Sequence, residues 1–456
     1  MIRRTGPAGT ARPSAEGARD TGAGADVPDT AAGASTPDTA AGHAASERPR
    51  ARHVPGTLLA AQAVGALGLA AGGTAGALMA EEVLGSAAFT ALPLGLLVLG
   101  SALSAPPLTA MMRRYGRAAG LTAGYALATA GAVLVIVAAA DTGPAALLLG
   151  SLLLGTGNNA VMLGRYVAAD GAPPGRTARA MSTAMTAVTV GAVVGPALLG
   201  PSGTVARALG LPDTAGLYLL AAAAFPTAAA LTLRLHHRLR HAGTRLAAQG
   251  GSPRGDRVAD KAGGRTATAA GGRRRGGAAL ALLLLGVANL TMVTAMGVTP
   301  VHLHAHDWPL GSVGLLVAAH VALMFGPSAL SGRLCDRIGA RNVALLGTVV
   351  QLSALPLVAS AGTGSTWTTV PGLLLLGLGW NLQLISGSAL VVQRSRGARR
   401  HRAEGIGESA MGVGAVAGTL GLAGPLLTAG GLPLLCLALG ALTLVASLPL
   451  LAEVRR

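Results

Sequence analysis

Charged residues are scarce in this chain of 456 residues, and their scarcity excludes an ordinary soluble protein. Only 12% of the residues are charged and 51% are hydrophobic, and the apolar runs are far longer than the core helices of a soluble domain require. The only two cysteines, Cys335 and Cys436, have no metal-site or disulfide spacing. No nucleophile with its base and no pair of carboxylates lies within an apolar run. The sequence therefore predicts no enzyme, no cofactor and no metal site.

Long apolar runs are the main feature that the sequence does contain. A helix needs about 20 apolar residues to cross about 30 Å of hydrocarbon. The sequence predicts an all-α membrane protein with twelve such helices, called spans one to twelve: 57–80, 86–110, 118–140, 144–168, 179–200, 214–235, 278–301, 311–331, 342–361, 370–392, 407–429 and 432–452. Residues 1–54 have the composition of a disordered tail, without a signal-peptide core. Residues 236–277 predict a basic linker between the N-terminal bundle, 55–235, and the C-terminal bundle, 278–456.

The charges between the spans alternate in sign from one end to the other. The loops at one end hold the cations Arg113, Arg114, Arg117, Arg176, Arg179, Arg333, Arg337, Arg341, Arg394, Arg396, Arg399, Arg400 and Arg402. The other end holds mostly carboxylates: Glu81, Glu82, Asp141, Asp213 and Asp307, with Arg207 as an exception. Because cytoplasmic loops retain cations, both termini and the linker are predicted to be cytoplasmic.

The formal net charge of +17 is explained by these loops, so we expect a lipid bilayer rather than nucleic acid as the partner. Arginine outnumbers lysine overwhelmingly, with Lys261 as the only lysine. This bias is typical of a high-GC bacterium and predicts a bacterial cytoplasmic membrane.

The two halves of the chain repeat each other at a nearly fixed offset. Gly116 aligns with Gly339, where 339 minus 116 is 223. The segment 152–159 aligns with 374–381 at an offset of 222, and 191–195 aligns with 414–418 at an offset of 223. Three matches in order at offsets of 222 or 223 indicate a duplicated six-helix unit.

A short polar loop, Gly332 to Arg341, lies between spans eight and nine. The loop has one carboxylate, Asp336, which lies among three arginines, one of them Arg337. Gly332 and Gly339 lie at positions where a tight turn needs glycine. Two interpretations remain open at this point. The loop is either a solvated cytoplasmic loop that follows the charge rule or a conformational latch that closes on another part of the chain.

This loop resembles the signature Gly-x-Leu-x-Asp-Arg-x-Gly-x-Arg of the major facilitator superfamily. The resemblance covers the chain from about residue 55 to its end. The copy in the first half, residues 109–118, keeps Arg114, Gly116 and Arg117 but has Arg113 where the signature has Asp. In span five, Gly191, Gly195, Pro196 and Gly200 resemble the motif of proton-coupled drug antiporters, although that motif ends in Gly-Gly and this segment ends in Leu199-Gly200.

The resemblance implies two pseudo-symmetric six-helix bundles around a central cavity that opens alternately to either side. It implies a monomeric small-molecule transporter, and the span-five motif favours an exporter with protons as the coupling ion. Uptake or facilitated diffusion of a metabolite is the alternative within transport. A non-transporting receptor or scaffold is the alternative from another class.

Polar residues within the apolar spans are the candidates for the cavity, because polar groups in lipid are costly. Asn158 and Asn159 in span four and Asn381 and Gln383 in span ten occupy matching positions of the repeat. These amides are predicted either to line the cavity or to hydrogen-bond one helix to another.

His320, near the middle of span eight, is the candidate for the coupling proton, because imidazole titrates near neutral pH. The alternative is a neutral, hydrogen-bonded histidine in the core. The middle of span one and of most other spans contains no carboxylate, which argues against coupling through a buried acid.

Three other groups lie near the ends of spans. His302, His304, His306 and Asp307 predict a polar cap or pH-sensitive gate rather than a metal site. Glu81 and Glu82 are a proton entry point or simple loop charges. Arg165, near the cytoplasmic end of span four, is expected to extend its guanidinium to the interface rather than to bind an anion.

By analogy with the family, each signature loop faces the cytoplasmic end of a helix in the other half. Asp336 is predicted at the amino terminus of span five, near Arg179, where a helix end stabilises an anion. For the first-half loop we expect a charge-reversed latch from Arg113 to Glu404 or Glu408 at the start of span eleven.

Overall fold

The computed structural model describes residues 54–85, 92–141, 143–170, 172–173, 175–248, 267–305, 308, 310–363, 366–395 and 398–452, and these ranges contain helices and no strand. The all-α prediction is confirmed. The predicted tail up to residue 53, the centre of the predicted linker, His306 and Asp307 lie outside the described residues.

The first half contains six spans in the predicted order. Span one is Gly56–Ala70 and Gly76–Leu84, joined by a π-helical turn, Ala71–Ala75. The next spans are Leu92–Tyr115, Arg117–Asp141 and Pro144–Asp170. Span five is Thr177–Ala197 continued by Leu199–Ala208, and span six is Gly216–Ala248.

The second half repeats this arrangement. Span seven is Ala267–Ala305, span eight is Leu310–Phe325 with Ser328–Ile338, span nine is Ala340–Ala359 and span ten is Thr366–Arg394. Span eleven begins as Ala398–Val416 and passes through a π-helical turn, Ala417–Ala423, into the helix Gly424–Ala452, which also contains span twelve.

The number of spans agrees with the prediction of twelve. Within the described ranges, ten helices are long and apolar enough to cross a bilayer, and one of these, Arg399–Leu451, is 53 residues long. It contains spans eleven and twelve, which separate at Gly430 and Gly431, where the backbone leaves the helical conformation. Gly431 has φ +68°, which favours glycine. The divided span one completes the twelve.

The helices on either side of the predicted linker extend beyond their apolar segments. Span six continues past residue 235 to Ala248, and span seven begins at Ala267 rather than 278. Both helices thus continue into the segment predicted as the linker, residues 236–277. Hydropathy marks where a chain leaves the lipid, whereas Ala, Leu and Arg continue to favour helix beyond that point.

The internal repeat is visible in the packing of backbones. A Cβ atom at Gly191 of span five would lie 2.1 Å from the carbonyl oxygen of Ala63 in span one. A Cβ atom at Gly414 of span eleven would lie 2.5 Å from the carbonyl oxygen of Gly286 in span seven. Both members of the second pair follow those of the first by 223 residues, since 414 minus 191 and 286 minus 63 both equal 223. Small residues permit both close approaches.

Spans five and eleven are also irregular at matching positions. Span five contains Pro196 and is interrupted at Leu198, between its two helices. The positions of span eleven that correspond to Pro196 and Leu198 in the repeat lie in the π-helical turn Ala417–Ala423. Proline and π-turns both disturb the regular helical hydrogen bonding, so spans five and eleven are irregular at corresponding positions of the repeat.

The two halves pack together near the basic loops, an end of the bundle that we call the basic face. Here span two packs on the Ala398–Val416 part of span eleven, and span five packs on span eight. Ser409 donates a hydrogen bond of 2.9 Å to the carbonyl oxygen of Ala102. A Cβ atom at Gly332 would lie 2.2 Å from Ser182 Oγ. The structure is therefore closed at the basic face.

Candidate functional site at the basic face

Asp336 lies against the amino terminus of span five. The helix begins at Thr177 after Arg176, and the carboxylate of Asp336 faces the backbone N–H groups of Ala178 and Arg179, which favour its charged form. The first N–H groups of a helix have no partner within it and attract anions. Asp336, in span eight, thus holds the end of span five from the other half of the chain.

Arginines surround this contact. A cavity of about 270 Å³ is lined by Asp336 and by Gly175, Arg176, Arg179, Arg333 and Arg337. Gly339, with φ +88°, separates spans eight and nine. Arg341 points elsewhere and donates hydrogen bonds of 3.2 and 3.1 Å from Nε and Nη2 to the carbonyl oxygen of Leu450 in span twelve.

The first-half loop turns at Gly116, which has φ +99°, so a new helix begins at Arg117. Arg117 forms a bidentate pair with Asp170 at the end of span four, with Nε–Oδ2 and Nη2–Oδ1 distances of 2.6 and 3.0 Å. The same guanidinium binds Glu404 of span eleven through Nη1 and through Nη2, which lies 3.0 Å from Oε1. Arg117 therefore joins the two halves.

Arg400 completes a ring of four charges with Arg117, Asp170 and Glu404. Arg400 Nη2 lies 2.6 Å from Asp170 Oδ1, and Nε lies 2.9 Å from Glu404 Oε1. Glu404 has no exposed side-chain surface, whereas Asp170 is 35% exposed. Two cations and two anions alternate around the ring, so each carboxylate is shared by two guanidinium groups, an arrangement that compensates for burial.

The predicted latch from Arg113 to Glu404 or Glu408 is wrong. Arg113 lies on an exposed part of span two, and Glu404 binds Arg117 and Arg400 instead. The physical reason is the turn at Gly116, which ends span two and redirects the chain. Arg113 and Arg114 remain on the exposed end of span two, where Arg114 lies 5.3 Å from the ring centre of Tyr115.

Arg165 and Glu408 form a second ion pair, deeper than the ring of four charges. Arg165 Nη2 lies 2.6 Å from Glu408 Oε1, and the exposed fractions of the two side chains are 0% and 4%. Arg165 Nε also donates to Ser388 Oγ in span ten at 2.8 Å. The guanidinium lies 4.6 Å from the ring centre of Tyr166. Arg165, in the first half, is thus bound to spans ten and eleven of the second half.

This pair corrects one expectation. Arg165 does not extend to the interface, because its charge is balanced by Glu408 inside the protein. Glu408 lies at the start of span eleven, as predicted, and the structure shows that this carboxylate is buried. Sequence periodicity did not reveal the pair because it does not fix the rotation of one helix relative to another.

The glycines of the span-five motif differ in what surrounds them. Gly195, like Gly191, packs against span one, since a Cβ atom at Gly195 would lie 2.4 Å from Ala70 Cβ. At Gly200, by contrast, nothing lies within 4 Å of a Cβ atom. The motif therefore fits spans one and five closely together along one face. Pro196 follows this contact, and the helix breaks two residues later.

Asn381 joins spans eight and ten. Its Nδ2 donates to the carbonyl oxygen of Met324 at 2.6 Å and to Ser328 Oγ at 2.7 Å, and its Oδ1 accepts from Ser331 Oγ at 2.6 Å. All these bonds remain within the second half.

Asn159 joins spans two and four in the same manner. Its Nδ2 donates to the carbonyl oxygen of Ser101 at 3.3 Å and to Ser104 Oγ at 3.2 Å. Asn159 and Asn381 are 222 residues apart and their carbonyl partners, Ser101 and Met324, are 223 apart. These two amides thus form corresponding helix-to-helix contacts of the two bundles.

The other two amide candidates are also hydrogen-bonded to neighbouring helices. Asn158 Nδ2 donates to Ser101 Oγ at 3.0 Å. Gln383 Nε2 donates to Gln351 Oε1 at 2.6 Å, and Gln351 Nε2 donates to the carbonyl oxygen of Ala288 at 3.1 Å. Asn158 is partly exposed and Gln383 is buried, so Asn158 is the more accessible of the two.

His320 is fully buried between spans eight and ten. Its Nδ1 lies 2.6 Å from the carbonyl oxygen of Leu373. Because a carbonyl only accepts hydrogen bonds, Nδ1 carries the proton in this contact. Nε2 is buried and has no hydrogen-bond partner among the described residues. The ring therefore holds spans eight and ten together in this conformation.

The comparisons with known proteins agree with this architecture. The sequence profile of the Major Facilitator Superfamily matches residues 278–456. The chain is 35% identical over 357 residues to the uncharacterized MFS-type transporter YdeG of Bacillus subtilis strain 168, an alignment that covers 78% of this chain and 82% of that protein. It is 28% identical over 381 residues to the riboflavin transporter RfnT of Brucella anthropi, covering 82% and 89%.

Solved structures show the same fold. A bacterial homologue of the iron transporter ferroportin in an outward-facing state superposes with a TM-score of 0.65 at 15% identity, covering 88% of this chain and 99% of that one. The Escherichia coli fucose:proton symporter FucP superposes with a TM-score of 0.62 at 12% identity, covering 86% and 96%.

Proposed function

The chain belongs to the major facilitator superfamily and is a multi-pass membrane transporter of small molecules, and we propose that it exports its substrate in exchange for protons. We further propose that the basic face is cytoplasmic, which follows from the retention of cations on that side, and that the membrane is the cytoplasmic membrane of a bacterium. In this orientation the structure is closed to the cytoplasm.

The observation that carries the export proposal is the packing of span five on span one. The backbones meet at Gly191 and Gly195, and span five bends after Pro196. This segment resembles the motif of proton-coupled drug antiporters. A close, bent contact between two helices restricts leakage through the bundle and gives the halves a defined way to rock.

The transport cycle that we propose uses two cytoplasmic gates. One is the contact of Asp336 with the amino terminus of span five, and the other is the ring of Arg117, Asp170, Arg400 and Glu404. Both connect the first half to the second, so both must separate before substrate enters from the cytoplasm. Alternating access then follows from a shift between the closed and open populations.

Everted membrane vesicles provide the test. Their lumen is acidified by respiration, and the uptake of ethidium or riboflavin is followed before and after nigericin collapses the proton gradient. Antiport predicts substrate accumulation that is lost with the gradient, together with alkalinisation of the lumen on substrate addition. Vesicles without the protein, and vesicles with the exposed substitution Arg113→Ala, are the controls.

Uptake is the second candidate, and riboflavin is its test substrate because one relative is named a riboflavin transporter. It predicts riboflavin accumulation in right-side-out vesicles and none in everted vesicles. Flux that is unchanged after collapse of the proton gradient would exclude proton antiport.

A further inference from the structure

The Arg165–Glu408 pair is the most deeply buried charge contact between the two halves among the described residues. It connects span four to span eleven at an Nη2–Oε1 distance of 2.6 Å. Two charges out of water are tolerated only when each is well compensated. A change in the charge of either partner therefore acts directly on the contact between the halves.

Arg165 has a fixed charge and a fixed position. Its Nη1 donates to the carbonyl oxygen of Met162 in its own helix. Its Nε donates to Ser388 Oγ, and its Nη2 lies 3.4 Å from Tyr166 OH as well as contacting Glu408. A guanidinium does not lose its proton in proteins. Of the two partners, only Glu408 can change its charge.

Three titratable groups interact with Glu408 in the part of the chain that the structure describes. Arg165 and Tyr166 lie on span four, and Glu404 lies one turn earlier in the same helix as Glu408. Spans two, seven and ten bring residues that do not titrate to this part of span eleven, among them Ala102, Thr109, Leu282, Leu285 and Ser388.

The two glutamates of span eleven differ in how their charge is compensated. Glu404 is shared by Arg117 and Arg400, whereas Glu408 is paired with Arg165 alone. Counted together, Arg117, Arg165 and Arg400 balance Asp170, Glu404 and Glu408, so this network of six charged residues is neutral. One proton added to Glu408 leaves this network with one uncompensated positive charge at its most buried point.

We propose that the carboxylate of Glu408 binds the coupling proton and that its protonation releases Arg165 and opens the basic face. This inference rests on the proposed proton antiport. A hydronium ion transfers its proton to a carboxylate oxygen of Glu408 and leaves as water, and no covalent bond between heavy atoms is made or broken. The oxygen that accepted the N–H of Arg165 becomes an O–H donor or a weak acceptor. Loss of the proton restores the ion pair and closes the face again.

The experiment is a pH titration of the separation between the halves. Cys335→Ser and Cys436→Ser remove the native thiols, and spin labels are placed at the exposed positions 113 and 402, on spans two and eleven. The full-length protein is reconstituted in lipid, and the distance distribution is measured by pulsed electron paramagnetic resonance. We expect the ratio of separated to closed populations to rise by up to about tenfold per pH unit on acidification, as for one linked proton.

Glu408→Gln imitates the protonated carboxylate, so we expect a separated population at every pH and no titration. Glu408→Asp retains a titrating group and keeps a pH-dependent transition, which shows that the position tolerates substitution. Asp141→Asn, at an exposed carboxylate of the opposite end, is the matched control and should titrate like the unsubstituted protein. A Glu408→Gln variant that titrates unchanged would overturn the proposal.

A second readout separates this inference from the proposed function. In everted vesicles, Glu408→Gln should abolish the lumenal alkalinisation that ethidium or riboflavin causes. Alkalinisation that persists in this variant overturns the assignment of Glu408 and leaves antiport intact. If flux through the unsubstituted protein does not depend on the proton gradient, the protein is not a proton antiporter. That result would also exclude the coupling role of Glu408.

Discussion

The guanidinium of Arg117 and the carboxylate of Glu404 form an ion pair that ties span three to span eleven across the two halves of the transporter. Glu404 has no exposed side-chain surface, and Arg117 is 10% exposed. The pair lies at the basic face, next to the contact between spans two and eleven. It is therefore well placed to hold the closed conformation.

Arg117→Ala tests this pair. The substitution leaves buried Glu404 with Arg400 as its one remaining cation, so we expect a loss of about 1–3 kcal/mol in the stability of the closed protein. Thermal unfolding in detergent measures the stability, and flux in vesicles should fall at least about tenfold. Arg113→Ala is the control and should change stability by less than about 0.5 kcal/mol. Equal damage from both substitutions would favour a role for Arg113 in the gate.

The difference between Arg113 and Arg117 shows where prediction from the sequence succeeds and fails. The apolar runs, the alternating loop charges and the offset of the repeat were sufficient to predict twelve helices, whereas the position of Asp336 at span five was expected only from the resemblance to the family. The partner of Glu404 depended on the turn at Gly116, which separates two arginines only four residues apart. The sequence analysis did not identify Asp170 as part of the charged ring. Its position as a carboxylate close to the basic loops would have indicated it.

Arg165 and Glu408 were beyond the sequence for a related reason. Each belongs to a helix whose sequence gives its length but not its rotation or its neighbours. The partners lie 243 residues apart in the chain, and only the packing of spans four and eleven brings them together. Asn159 and Asn381 were placed at matching positions of the repeat correctly, but their hydrogen bonds to spans two and eight required the structure.

Gly191→Ala tests the contact between spans five and one. The added methyl group would lie 2.1 Å from the carbonyl oxygen of Ala63, so the helices must move apart. We expect a loss of about 1–3 kcal/mol, as for other overpacked sites, and a reduced transport rate. Gly200→Ala, where nothing lies within 4 Å, should leave both unchanged. A Gly191 variant as stable and active as the Gly200 variant would show that close packing at this point is dispensable.

Asp336→Asn tests the second gate. The amide removes the negative charge at the amino terminus of span five, an interaction of about 0.3–1 kcal/mol. We expect the neighbouring thiol of Cys335, buried in the closed protein, to react faster with a maleimide in a Cys436→Ser background. Asp213→Asn alters an exposed carboxylate of the opposite end and serves as the control. An unchanged rate of Cys335 labelling in Asp336→Asn would contradict the gate.

His320 is tested by comparing two amides. Asn at position 320 brings an N–H group near the place of Nδ1 and is expected to preserve the hydrogen bond to Leu373, whereas Gln places its amide nearer to Nε2. We expect His320→Asn to retain proton-coupled transport, and His320→Gln to lose coupled and downhill flux together. Selective loss of coupling in both variants would instead assign the coupling proton to His320.

Disulfide trapping of the basic face measures most directly whether its opening is required for transport. Ala102→Cys and Ser409→Cys place thiols on spans two and eleven, where Ser409 Oγ lies 2.9 Å from the carbonyl oxygen of Ala102, in a background without Cys335 and Cys436. Oxidation should cross-link the pair and abolish flux, and reduction should restore it, whereas either single cysteine should be insensitive to oxidation. A fully cross-linked protein that still transports substrate would contradict alternating access through this face.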